Sequence, residues 1–178
     1  MPARISKPAF NLRDKLTQLD GTVPYEKMPS GSIWLLNHTT SATQTNVSSN
    51  GTWTSLSGLS IDVTPRMVGS TLWVEHNFTM ELHGGINGLH FRVYRETPIG
   101  GSSVQVYLHS QHSHWSTGLP AWSGPGTIYL TFMDEPNTPL GQVVRYYVQC
   151  YKEAGNNLYS NYGQDQSGIQ NTVWEIKK

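Results

Sequence analysis

The feature that most constrains this chain is an alternation of apolar and polar residues with a period of two, repeated along most of its length. In "TLWVEHNFTMEL", residues 71–82, one face holds Leu72, Val74, Phe78, Met80 and Leu82. Successive side chains of a strand point to opposite faces, so the pattern predicts a strand with one buried side. The same phase recurs in five further sets: Leu59, Ile61 and Val63; Leu89, Phe91 and Val93; Val104, Val106 and Leu108; Ile128, Leu130 and Phe132; Val144, Tyr146, Val148 and Cys150. With turn residues between them, about eight to ten such strands predict an all-β, antiparallel β-sandwich of the jelly-roll kind.

The first thirty residues follow a different pattern. Leu12, Leu16 and Leu19 are spaced as one stripe of a helix, Asn11 can cap it and Gly21 can end it. A helix of about two turns is unstable alone in water, so these leucines and Phe10 need a partner surface. That surface is the chain's own β-domain, another copy or a larger assembly. We therefore divide the chain into a docking arm with its linker, residues 1–30, and a β-sandwich domain, residues 31–178.

Composition narrows the function classes. Twelve basic residues balance twelve acidic ones, which argues against a general binder of nucleic acid or anionic membranes. A single cysteine, Cys150, excludes an internal disulfide. The N-terminus lacks the apolar segment of a signal peptide, and no run of about 18 apolar residues predicts membrane insertion. We expect a protein that is made and assembled in a cytoplasm.

Two histidines form the main candidate for a metal site. His112 and His114 lie two residues apart in "LHSQHSHW" and share a face if the segment is extended. Zinc needs three or four converging ligands, which one copy does not supply here, whereas three copies around an axis would supply six imidazoles. The alternative is a polar segment with histidines facing solvent. We expect no metal and no other cofactor.

Two tryptophans form the main candidate for a ligand site. Trp115 and Trp122 lie in "HWSTGLPAWSGPG", a stretch whose glycines and prolines suit a stiff loop. An indole face can stack on the apolar face of a sugar, so the loop could bind glycan. The alternative is that both rings pack under the loop or across a subunit interface, where tryptophan is enriched.

No catalytic motif competes with these binding interpretations. Asp134 and Glu135 are adjacent, so in a strand they point to opposite faces and cannot converge on one substrate bond. The chain also lacks a nucleophile elbow and a phosphate-binding loop. We therefore expect no enzymatic activity.

Several aromatic residues fall in the phase opposite to the core residues. They are Trp73, Tyr94, Tyr107, Tyr147 and Tyr151. So many large rings outside one core predict a second buried surface, and we expect a homotrimer.

At this point the residues resemble a known class. The opening "SKPAFNLRDKLTQLD" is similar to the start of many structural proteins of tailed phages of the marine and cyanobacterial type. Segments such as "LSIDVTPRMVGSTLWV", "FRVYRETPIGG", "IYLTFMDEPNTP" and "NTVWEIKK" resemble a β-sandwich domain of fibre-like virion proteins. The resemblance covers nearly the whole chain. Long fibres carry an extended shaft after the leader, whereas this chain has only a linker of about twelve residues.

The resemblance implies a virion surface protein: a short tail fibre, a tail appendage or a capsid decoration. Its partners would be other virion proteins, and its location the virion. A carbohydrate-binding adhesin module that recognises host glycan is the alternative, and the two roles are compatible. A glycan-cleaving enzyme is the third interpretation; it requires a pair of converging carboxylates, which the sequence does not provide.

Overall fold

The computed structural model describes residues 27–82, 86–114, 125–155, 157–161 and 168–178. The predicted leader helix, with Phe10, Leu12, Leu16 and Leu19, lies outside this range. So do Trp115 and Trp122.

The regular secondary structure of the described residues consists of strands, which confirms the all-β prediction. The ten strands are Ile33–Ser41 (β1), Thr45–Val47 (β2), Thr54–Val63 (β3), Thr71–Leu82 (β4), Ile86–Glu96 (β5), Ser103–His114 (β6), Pro125–Asp134 (β7), Val144–Gly155 (β8), Leu158–Ser160 (β9) and Ile169–Ile176 (β10). All pairings between them are antiparallel.

The strands form two sheets of four positions each. In the first, sheet A, β1 and β2 follow one another along one edge, because β1 pairs with β10 and β2 pairs with β9. Strands β10 and β9 in turn lie end to end along β4, and β7 pairs with the other side of β4. The second, sheet B, has the order β3-β8-β5-β6.

The connections between the strands identify the fold. Counting β1 with β2 and β9 with β10 as single positions, every connection crosses between the sheets except the one from β5 to β6. Eight antiparallel positions joined in this way form a jelly roll, a double sheet with two Greek keys. The segments entering β1 and leaving β10 meet, since Gly31 N donates to Lys177 O at 2.8 Å and Lys177 N donates to Ser32 O at 3.0 Å.

One core lies between the sheets. Phe78 of β4 and Phe91 of β5 meet across it, with ring centroids 5.5 Å apart and an edge-to-face angle of 74°. The predicted inward residues of β3, β5 and β8 are all buried, as are Leu72, Val74 and Met80 of β4. The period-two pattern therefore identified the core face in these strands.

Strand β6 follows the prediction only in part, because Val106 packs against the core but its two neighbours in phase do not. Val104 and Leu108 are about half exposed, at 50% and 51%, while Tyr107 stacks on Phe132 with centroids 5.2 Å apart. The register with β5 shifts between Val93 and Tyr94, and such a bulge turns the following side chains to the other face. The placement of Tyr107 outside the core was therefore wrong.

Buried polar groups organise the inner face of sheet A. The Glu175 carboxylate accepts hydrogen bonds from Arg66 N at 2.9 Å, Met67 N at 3.1 Å and Ser70 Oγ at 2.6 Å. The side chain of Glu175 is fully buried. These bonds hold the loop between β3 and β4 against the end of β10.

A second set of buried polar side chains joins β4 to β10. His76 Nδ1 donates to Asn171 Oδ1 at 2.7 Å, and Asn171 Nδ2 donates to Gly58 O at 2.9 Å and Thr39 Oγ1 at 3.1 Å. Gly58 has a φ of +79°, and a Cβ there would collide with the Ser41 side chain. Complete burial lowers the pKa of His76 to about 4, so the imidazole is neutral.

Candidate binding surfaces

The outer face of sheet A carries a row of apolar side chains that crosses all four strand positions. Leu35 lies opposite Trp174, Trp174 opposite Trp73, and Trp73 opposite Met133. Residues directly opposite one another share a face, so these four form one continuous row, which we call the sheet A band. Leu35 is 45% exposed and Met133 66% exposed. Ile33, at the start of β1, extends the apolar surface next to it.

A polar row borders the band. Next along the strands lie His38, Thr172, Glu75 and Thr131, which are again opposite one another. Within the polar row, His38 Nδ1 bonds Thr172 Oγ1 at 2.9 Å. From the band, Trp73 Nε1 donates to Thr131 Oγ1 of the polar row at 2.8 Å. The Tyr129 hydroxyl donates to Glu75. Burial and this carboxylate raise the pKa of Tyr129 to about 12. The apolar surface is thus a narrow strip beside hydrogen-bonded neighbours.

The outer face of sheet B carries a different cluster, in which five side chains contact one another in sequence. Arg92 lies between two rings, 4.0 Å from the Trp53 centroid and 4.8 Å from that of Tyr94. Tyr94 stacks on Tyr147 at 5.6 Å, and Trp53 meets Tyr151 at 5.2 Å. We call this set the sheet B ladder. Arg92 is fixed further by its Nε, which donates to Gln149 Oε1 at 2.8 Å.

A shallow groove of about 400 Å³ lies beside the ladder, between β3 and β8. Its polar lining comprises Ser55, Ser57, Ser60, Glu96, Arg145, Tyr147 and Gln149. Hydroxyl and amide groups predominate over charges, and one ring of the ladder forms part of the wall. Such a lining suits a neutral, hydroxyl-rich ligand better than a phosphate or another highly charged group.

The side chains of the two predicted site pairs lie outside the part of the chain that the structure describes. His112 and His114 belong to the backbone of β6, and their side chains lie outside the described part, as do Trp115 and Trp122 entirely. Within the described ranges, no group of three or more histidine, cysteine, aspartate or glutamate side chains is placed to hold a metal ion. The metal and tryptophan-loop predictions therefore remain predictions.

The two adjacent carboxylates have separate roles. Asp134 receives two bonds of 2.7 Å from Arg95 and one of 2.7 Å from the Tyr146 hydroxyl, which ties β7 to sheet B. Burial and this carboxylate raise the pKa of Tyr146. Glu135 instead contacts Lys178 Nζ at 2.6 Å, at the exposed surface. Each carboxylate is thus bound to its own cation.

The sequence predicted the outward direction of one of the four side chains in the sheet A band and of four of the five in the sheet B ladder. Trp73, Tyr94, Tyr147 and Tyr151 lie outside the core as predicted. Arg92 alternates with the inward residues of β5, a phase that indicates the outer face but not the contacts with two rings. Four members were missed: Leu35, Trp53, Trp174 and Met133. Trp174 and Met133 could have been found from phase, because each falls between inward residues of its own strand.

The similarity of this chain to known proteins is distant. No protein-family model matches the chain, and no curated protein matches it by sequence. Among solved structures, it is similar to the VP2 subviral particle of infectious bursal disease virus, with a TM-score of 0.41 and 11% identity over 89% of this chain. It is also similar to structures of the Gx and Gt strains of that virus, with TM-scores of 0.39 and 0.37 and identities of 8% and 13%.

The chain spans less than half of those proteins, 45% of the Gx chain and 42% of the other two. The Gx match covers 88% of this chain and the Gt match 89%. A likeness at this level says nothing about function. In the part of the chain that the structure describes, no helical segment has the length and apolar character that a membrane crossing needs.

Proposed function

We propose that the chain is a non-enzymatic structural protein of a virus particle, which acts by binding to other virion proteins. The observation that carries this proposal is the sheet A band. A continuous row of large apolar side chains on a sheet face, with Met133 66% exposed, indicates a protein that functions in contact with a partner. The sequence resemblance to tailed-phage structural proteins implies that the partners are other proteins of a virion.

The test is to locate the protein on particles. Purified particles from a host that carries this sequence would be labelled with antibody to residues 27–178 and imaged with gold. We expect gold on the particle surface, at the head or the tail. Antibody preadsorbed with the purified chain is the control. Label confined to the particle-free fraction would refute the proposal.

Within this role, we propose that residues 1–30 attach the chain to the particle and that the sandwich projects from it. The leader is joined to the domain next to Lys177, whose Nζ donates to Met28 O at 2.6 Å, so it leaves from one end of the sandwich. Deleting residues 1–27 should leave the domain folded but abolish its recovery with particles. Unfolding of the shortened chain would show that the leader belongs to the fold.

We also propose that the domain is a homotrimer. Besides the sheet A band, apolar side chains are exposed in the loop between β3 and β4, with Val68 at 59%, and in the loop between β7 and β8, with Leu140 at 65%. A second apolar surface of this kind suits self-association. Light scattering at micromolar concentration should give three times the chain mass of 19.9 kDa. A mass of one chain would count against the trimer.

Recognition of host-surface glycan is a second candidate function. The sheet B ladder and its groove favour it, because aromatic rings beside hydroxyl and amide groups are the chemistry that binds sugars. A glycan array should show a signal that Tyr147→Ala, Trp115→Ala or Trp122→Ala weakens. Trp73→Ala, on the other sheet, is the matched control. An array with no signal would remove this candidate and leave the virion role untouched.

A further inference from the structure

We propose that the sheet A band is a docking site for the chain's own leader, whose apolar stripe, Leu12, Leu16 and Leu19 with Phe10, covers it in the free protein. The contact concerns the chain before it joins a particle. It does not depend on the proposed virion role, because it requires only the leader and the band.

The band has the dimensions of one short helix. Four strand positions spaced by about 4.8 Å give a row of about 14 Å. In a helix, the stretch from Leu12 to Leu19 is about 10 Å long, and Phe10 lengthens this apolar stripe at one end. A stable interface between two copies buries about 800 Å² on each partner, which a row of four side chains with Ile33 beside it does not offer. The polar row from His38 to Thr131 limits the strip on one side.

The leader is joined to the chain beside the band. Met28 is fixed to Lys177, three residues beyond Trp174 of the band. The nine residues from Leu19 to Met28 can span up to about 30 Å, twice the length of the band. A tethered segment of this kind faces its site at a local concentration in the millimolar range, which favours the chain's own leader over that of another copy.

The charges on the two partners are opposite. Residues 1–27 carry five basic against three acidic residues, and Arg13 and Lys15 lie on either side of the leucine stripe. On the outer face of sheet A, Glu75 borders the band and Glu81 lies further along β4. Helix formation by the leader thus brings its leucines onto the band and its basic side chains towards Glu75.

Disulfide trapping in the full chain tests the contact. The pair Leu16→Cys with Met133→Cys joins the stripe to the band, and Leu16→Cys with Leu108→Cys is the matched control on sheet B. Leu108 is exposed to a similar degree, at 51% against 66% for Met133. The native Cys150 is buried and remains in both.

Under mild oxidation we expect the first pair to form an intramolecular disulfide on the order of tenfold faster than the control, the advantage of a local site. Adding Leu12→Gln and Leu19→Gln should remove that advantage. Equal rates for the two pairs would overturn the proposal, as would a rate that the glutamines leave unchanged. Disulfide-linked dimers as the main product would also overturn it, by showing that a second copy occupies the band.

Discussion

The two outer faces of the sandwich carry similar numbers of aromatic side chains but use them differently. On sheet B, the rings contact one another and Arg92, which lies 4.0 Å from the Trp53 centroid. On sheet A, Trp73 and Trp174 form a row with aliphatic side chains, and both ends of that row, Leu35 and Met133, face solvent. Sheet B therefore covers its own apolar surface, whereas sheet A leaves it for a partner.

This difference shows that counting aromatic residues outside the core does not locate an interface. A cation between two rings removes apolar area from water without any second molecule. Aliphatic side chains at the edge of a sheet lack such a partner within the face. Leu35 and Met133 therefore indicate a contact surface more reliably than the tyrosines do.

The largest expected effect comes from the core that supports both faces. Phe78→Ala should lower the free energy of unfolding by about 4 kcal/mol, because it removes a buried ring from the contact with Phe91. Urea titration followed by tryptophan fluorescence would measure it. If the two faces belong to one cooperative unit, fluorescence and circular dichroism give the same midpoint. Separate midpoints would show that the sheets unfold independently, and the comparison of faces would then concern two units.

A pH effect should arise beneath sheet A, at His76. The pKa of His76 is lowered from 6.5 to about 4 in the folded chain, so between these values the unfolded chain binds a proton that the folded chain does not. Stability should therefore fall as pH drops from 6.5 towards 4, by roughly 3 kcal/mol in total, and should be independent of this group above 6.5.

Unfolding measured between pH 4 and 7.5 would test this. His76→Gln should flatten the dependence, whereas His90→Gln, on the outer face of sheet B, should leave the contribution of His76 in place. An unchanged slope in His76→Gln would show that another group is responsible.

A moderate effect is expected from the carboxylate behind the sheet A band. Glu175→Gln should cost about 2 kcal/mol, since it replaces charge-assisted bonds with weaker ones and places an amide donor among donors. Hydrogen exchange should accelerate at the Arg66 and Met67 amides and stay unchanged in β5. Uniform acceleration across both sheets would mean that Glu175 supports the whole fold instead of one loop.

The smallest expected effects come from one substitution on the outer face of each sheet. Arg92→Ala should cost about 1 kcal/mol, because it removes the cation from between Trp53 and Tyr94. In the chain that lacks residues 1–27, Met133→Ser should change stability by less than about 0.5 kcal/mol, since an exposed side chain makes few contacts within its own sheet. A larger loss for Met133→Ser than for Arg92→Ala would reverse the distinction between the faces.

Much of the fold was accessible from the sequence because burial follows strand phase. Val144, Tyr146 and Val148 alternate without interruption, and all three are buried. In β6, a bulge shifts the phase, and apolar spacing alone does not reveal where a bulge falls. Tyr107 was misplaced for this reason.

The buried polar residues show a different limit. His76 and Glu175 share the phase of their apolar neighbours, so their inward direction was predictable from position. That the fold could bury these polar side chains was not predictable, because their burial depends on partners far away in sequence. These partners are Asn171 for His76 and the loop amides for Glu175. The sheet A band likewise combines residues of four strands, and its continuity appears only once their registers are known.

The most direct test of the account is the oxidation of Met133 in the full chain by dilute hydrogen peroxide, followed by mass spectrometry. If the leader covers the band, Met133 should react several-fold more slowly in the native sequence than in the variant with Leu12→Gln, Leu16→Gln and Leu19→Gln. Met67, which is partly buried in the loop held by Glu175, serves as the internal reference. Equal rates at Met133 in both proteins would contradict the account, because the band would then be open to solvent with or without the leucine stripe.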